Sequence, residues 1–152
     1  MKLILLTIFG LCVLPYQVFA DTDQDKIGKI LEAIEDGWEQ ADGAPFRKHF
    51  LDYDGARYIE SGGQNVGLTD LIEHHVEPEG KALKLELDFT NPVINIEGDF
   101  AWVIVDTEVR ATIYKTDRKI HNRGYETIIL RKIADEWKVL HTHSSSRPVK
   151  KD

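Results

Sequence analysis

At Gly80 the hydrophobic period of this chain changes, and it does not change back before the final residues. Ahead of it, Ile27, Ile30, Leu31, Ile34, Trp38 and Ala41 recur at spacings of three and four, the stripe of one amphipathic helix. Beyond it, Leu83, Leu85, Leu87 and Phe89 alternate with Lys84, Glu86 and Asp88, which makes a strand with one buried face. Asn91-Pro92 interrupts that strand as a bulge or bend, because proline has no N–H to give to a ladder. Val93 to Ile96 resumes it, Glu97-Gly98-Asp99 turns, and Ala101 to Tyr114 forms a long β-branched strand. Further turns at Lys115-Thr116-Asp117-Arg118 and Ala134-Asp135-Glu136 separate a strand over Ile120 to Ile133 from a last one over Trp137 to Ser145. Helices first and a long antiparallel meander afterwards is the order of an α+β domain.

The helical half supplies its own punctuation. Thr22 or Asp23 can cap the first helix and Gly43 can end it. Asp42-Gly43-Ala44-Pro45 opens a short second helix through Phe46 and Phe50, which stops near Asp52-Tyr53-Asp54-Gly55. Ala56 to Ser61 reads as a short strand and Gly62-Gly63-Gln64-Asn65 as a flexible connection. A third helix is expected from Leu68 to Val76, with Pro78 as its stop.

Residues 1–20 carry a different signal: Lys2, an apolar run from Leu3 to Leu14, a break at Pro15 and the small-residue ending Val18-Phe19-Ala20. This is the pattern of a signal peptide, too short to span a bilayer, so a periplasmic or secreted protein is expected with no membrane contact after cleavage. Lipid anchoring through Cys12 is disfavoured by bulky Leu11 before it. Cleavage after Ala20 removes the single cysteine and leaves 132 of the 152 residues, enough for one core: a domain over 21–146 and a flexible tail over 147–152. The remaining chain has 18 basic and 26 acidic residues, a formal charge of −8, and no basic run but Lys150-Lys151. A nucleic acid or an anionic membrane surface is therefore not an expected partner.

Tyr125-Glu126-Thr127 in the penultimate strand, Trp137-Lys138-Val139-Leu140-His141-Thr142-His143-Ser144-Ser145 in the last, the Asn91-Pro92 bend and the Gly98 turn together resemble the SnoaL-like branch of the nuclear transport factor 2-like superfamily. The ending is also similar to the association domain of calmodulin-dependent protein kinases. The resemblance implies a cone-shaped, curved antiparallel sheet wrapped around three N-terminal helices, with an open-ended cavity used by relatives for catalysis or ligand binding. It implies a homodimer on the outer sheet face as well, and Val103, Val105, Val109, Ala111 and Ile113 agree with a sheet that needs covering. Kinase association domains line their pocket with arginines; Glu108, Ile128 and Ser144 stand there in this chain, which argues against an anion pocket. Steroid isomerases of the superfamily combine an aspartate base with a tyrosine and a protonated acid, and by residue type only Asp106 and Tyr58 answer to that set.

Individual residues leave alternatives open. His141 and His143 share a strand face and could meet one metal ion or ligand, but a third ligand would have to come from His75, His121, Asp106 or Glu108. A structural role for the pair is preferred, and no metal or cofactor is expected. Trp102, Ile104, Asp106, Glu108, Arg110 and Thr112 share one face of the long strand, which is either the cavity wall or a solvated exterior. His75 falls on the stripe of Leu68, Leu71 and Ile72 and so points inward, whereas His74 points away. No nucleophile elbow or glycine-rich phosphate loop is present. The expected function is uptake of a small, partly apolar molecule, with Tyr58, His75, Trp102, Arg110, Tyr125, His141 and His143 as candidate wall residues. The alternatives are an isomerase- or cyclase-like enzyme with His75 or Asp106 as base, and a dimerisation module without ligand.

Overall fold

The computed structural model describes residues 21–150. The expected signal peptide, with Cys12, lies outside the described residues, as do the last two residues of the expected tail.

Helix α1 (Asp23–Gln40) starts in a capping box: the Thr22 hydroxyl accepts from the Asp25 N–H, and the Asp25 carboxylate accepts from the Thr22 N–H. It ends two residues before the expected Gly43, at Ala41 in the left-handed region, where the Asp42 N–H closes on the Gly37 carbonyl. Gly43 is instead required for space, since a Cβ there would lie 2.4 Å from Ile72 Cγ2. Helix α2 (Ala44–His49) follows, then strands β1 (Arg57–Glu60) and β2 (Gly63–Val66). The segment expected to be a flexible connection is therefore β2, paired to β1 from Arg57↔Val66 to Glu60↔Gly63.

The third helix does not stop at Pro78. It runs as α3 (Leu68–Leu71), a π turn (Ile72–Val76) and α4 (Glu77–Ala82), so Pro78 falls in the first turn of α4, where its missing N–H costs nothing.

Strands β3 (Leu83–Glu97), β4 (Phe100–Ile113), β5 (Arg118–Ile133) and β6 (Glu136–Pro148) complete a six-stranded sheet in the order β2-β1-β6-β5-β4-β3. All its neighbours are antiparallel except β1 and β6, which run parallel. The last strand is longer than the sequence predicts: Arg147 and Pro148 pair with Arg123 and Asn122, so the expected tail is ladder at its start.

Two bulges bend this sheet. The first, at Asn91-Pro92, shifts the register between Thr90↔Asp106 and Val93↔Ile104, with Asn91 at φ 52°. The second leaves Leu140 as an extra residue between Val139↔Leu130 and His141↔Ile129. Each reverses which face the following side chains meet. The inner face carries Ala101, Val103, Val105, Ile128, Leu130 and Val139, all fully buried, and α1 lays Ile27, Ile30, Leu31 and Ile34 into the same core. Helix α1 also closes the open side of β3, where Glu39 and Glu35 accept the N–H groups of Leu87 and Phe89. The result is an α+β fold with a curved, unclosed sheet around N-terminal helices.

Gly124 is fixed by backbone approach rather than by φ: a Cβ there would fall 1.9 Å from the Ser145 carbonyl oxygen and 2.7 Å from Ser146 Cα. Gly124→Ala should lower stability by at least about 2 kcal/mol in urea unfolding. Gly28→Ala, in α1 with nothing within 4 Å of the new methyl, should instead raise it by about 1 kcal/mol.

Candidate functional site

The core helix covers only part of the inner sheet face. On the inner side of β4, Ala101, Val103 and Val105 are fully buried whereas Val109 is only partly so, and the uncovered part walls a cavity of about 220 Å³. Its aliphatic side is Leu83, Leu85 and Leu87 of β3, Val109 and Ala111 of β4, and Ile120 of β5. The opposite side is polar: Tyr58 and Glu60 of β1, Glu126 of β5, Thr142, Ser144 and Ser146 of β6, and the π turn and α4 with His75 and Glu79.

Register places three of these in one row, because Glu60 pairs with Ser144 and Ser144 with Glu126. Glu126 shares its face with Ile128 and Leu130. Among the described residues its carboxyl has no hydrogen-bond or ion partner, and burial together with the Glu60 charge raises its pKa from 4.5 to about 8. Nearby, the Tyr58 hydroxyl is buried without a partner among the described residues, and burial pushes its pKa up. The Tyr58 ring continues an aromatic chain from Trp38 through Phe46 and Phe50, with successive centroids 5.2–5.3 Å apart. The Tyr58 hydroxyl thus lacks the partner that burial ordinarily demands, and the partly buried Glu126 carboxyl faces the cavity without one among the described residues.

His75 is held from every side. Nδ1 donates to Asn65 Oδ1 at 2.8 Å, Nε2 lies 3.4 Å from Glu60 and 3.5 Å from Glu79, and the edge of Trp38 packs at 5.0 Å. Asn65 is placed in turn by Asp70, whose carboxylate accepts from Asn65, from the Val66 N–H and from His74. The hydrogen bond to Glu79, reinforced by the Glu60 charge, raises the His75 pKa above its ordinary value, so the imidazolium is favoured. Both ring nitrogens already have partners, Nδ1 in Asn65 and Nε2 in Glu60 and Glu79, so neither is turned free to the cavity as a general base would need.

Of the sequence-predicted wall residues, Tyr58 and His75 line the cavity. Trp102, Arg110 and Tyr125, and the alternative base Asp106, lie on the outer face, since their strands turn Val103, Val105, Thr107, Val109 and Glu126 inward. His141 and His143 share the sequence parity of buried Trp137 and Val139, but the extra Leu140 turns them outward and brings Thr142, Ser144 and Ser146 in. His141 Nδ1 donates to the Arg57 carbonyl at 2.6 Å, and no metal-binding group of three or more ligand residues occurs among the described residues. On the outer face Glu108 gathers Arg110, His121 and Arg123, while Asp106 accepts from Asn91.

Glu126 and Glu60 were the residues that sequence reasoning missed. A signal did exist for Glu126, an acidic residue in step with Ile120, Ile128 and Leu130.

The sequence matches the SnoaL-like domain over residues 27–150. No curated protein matches it. Among solved structures, a nuclear transport factor 2-like superfamily protein from Salmonella enterica is 22% identical, with a TM-score of 0.73 over 83% of this chain and 91% of that one. A proposed dehydratase of the same superfamily from Streptomyces avermitilis is 17% identical, with a TM-score of 0.70 over 84% and 96%. A proposed ketosteroid isomerase from Shewanella frigidimarina is 24% identical, with a TM-score of 0.62 over 78% and 93%. At these identities the likeness is one of fold.

A carboxyl with a raised pKa binds more protons in the folded than in the unfolded chain, so it subtracts stability as pH rises from 4.5 towards 8. Glu126→Gln should unfold like the parent near pH 4 and gain over it progressively above, by on the order of 4 kcal/mol past pH 8. Urea unfolding across that range measures the difference.

Proposed function

The chain belongs to the SnoaL-like domain family, and from that premise we propose that its cone takes up a small, partly apolar molecule whose polar group is met at the Tyr58 and Glu126 side of the cavity. The observation that supports this reading is the pairing of an aliphatic wall with the buried, unpartnered Tyr58 hydroxyl and the partly buried Glu126 carboxyl, which has no hydrogen-bond or ion partner among the described residues. Leaving such groups unpaired costs free energy in the empty protein, which a bound hydrogen-bonding group would return. The reading is of a binder: Asp106 faces away from the cavity and both nitrogens of His75 are already engaged by Asn65, Glu60 and Glu79, so neither supports the base of an isomerase or cyclase.

Binding is tested with N-phenyl-1-naphthylamine, a neutral apolar fluorophore. Saturable one-to-one enhancement is expected, and Val109→Trp, which fills the cavity from its aliphatic side, should abolish it while the melting temperature holds. Fluorescence that never saturates, or that survives Val109→Trp unchanged, would refute the reading.

Export and self-association belong to the same proposal. The leader pattern over residues 1–20 supports a periplasmic or secreted site of action, and exposed Val93, Ile104 and Tyr125 on the outer face support a second copy as partner. The protein recovered after export should begin at Asp21 by intact mass and scatter light as a dimer. A retained leader would refute export, and a monomer would refute pairing.

A further inference from the structure

We propose that the polar group of the ligand is a cation, an ammonium carried on an apolar skeleton and taken up between Glu60 and Glu126. This rests on the cavity reading above and adds the chemical class of the ligand.

The charge inventory of the wall carries the argument. Every element facing Glu126 contributes acid or neutral groups: Glu60 from β1, Glu79 from α4, hydroxyls from β4 and β6, and from the π turn a single imidazole. Among the described residues, no lysine or arginine lines the cavity. The imidazolium of His75 is shared by Glu60 and Glu79, with its other nitrogen on Asn65, which leaves the wall with more carboxyls than cations.

Geometry makes room for the missing charge. Glu60 and Glu126 stand two strands apart in one row, on the order of 10 Å between their Cα atoms at ordinary strand spacing. Only the small Ser144 stands between them, and the carboxyls are close enough for the charge of Glu60 to act on Glu126. An ammonium there can donate to Glu126 and to Ser144, both of which accept. An anionic ligand would face Glu60 and Glu79 with no cation among the described wall residues but the His75 imidazolium that the two already share. A neutral acceptor could accept a hydrogen bond from protonated Glu126 but would add no positive charge to a wall with three carboxyls and one imidazole.

The consequence is linkage between binding and protonation. Glu126 holds its proton in the empty cavity and gives it up when a cation arrives, so uptake near pH 7 releases a proton to solvent. Three rigid probes of one shape, 1-adamantanamine, 1-adamantanol and 1-adamantanecarboxylate, isolate the charge. Calorimetry on the full exported chain at pH 7, in phosphate and in Tris, should give at least tenfold tighter binding of the amine than of the alcohol, the carboxylate weakest. The amine enthalpy should differ between buffers by the release of up to one proton. Glu126→Gln should erase both the preference and the proton release while keeping the alcohol.

Alcohol binding as tight as the amine, or an amine preference unchanged in Glu126→Gln, overturns the proposal and leaves the cavity reading intact. The same holds if N-phenyl-1-naphthylamine binds and none of the three probes does. If that fluorophore also fails to bind, both readings fall together.

Discussion

Everything in this fold depends on how far α1 reaches across the sheet. Its stripe of Ile27, Ile30, Leu31 and Ile34 locks onto one end of the inner face, where Ala101, Val103, Ile128, Leu130 and Val139 are removed from water altogether. Burial of that kind contributes roughly 25 cal/mol for each Å² of apolar surface, which makes this end the stable anchor of the domain. The other end of the same face is only partly covered by helix side chains, Trp38 of α1 and His75 and Glu79 beyond it. Its leucines and valine are half-covered, and the cavity is what remains between a curved sheet and a helix that covers part of it.

An incompletely filled interior is also why titratable groups can persist there. Glu126 stands on the apolar parity of β5, one residue pair from the dry core, yet it faces space rather than methyl groups. Full burial of an unpaired carboxylate would be prohibitive, and the group answers by holding its proton. Around it the chain spends several residues on placement: Asp70 orients Asn65, Asn65 fixes one nitrogen of His75, and Glu60 and Glu79 share the other. The π turn that carries His75 sits where the regular helix is interrupted between α3 and α4, and such interruptions accompany functional side chains in many proteins.

Most of the architecture was legible because periods of two and of three to four are written directly in apolar residues. The meander, its turns at Gly98 and Asp117, and the Asn91-Pro92 bulge all follow from that pattern. What alternation cannot supply is the identity of the inner face, and one unpunctuated extra residue reverses the answer partway along a strand. Leu140 is such a residue: neither glycine nor proline marks it, and it moves both histidines of the last strand to the exterior. Pro78 misled for a related reason, since a proline marks a helix end only when the turn before it keeps regular register. Glu126 was hidden because alternation along β5 does not by itself say which face is the inner one.

An unclosed sheet has two raw edges, and the described residues contain no cysteine to hold them by a disulfide. On β3, the longer of the two, Glu35 and Glu39 occupy the donors of Phe89 and Leu87 with carboxylates spaced one helical turn apart, matching alternate residues of the strand. A foreign strand seeking to extend the sheet would find those donors taken and two acids in its path. The device that fixes α1 in place is therefore also a guard against aggregation, and it keeps a long, apolar meander from polymerising edge to edge.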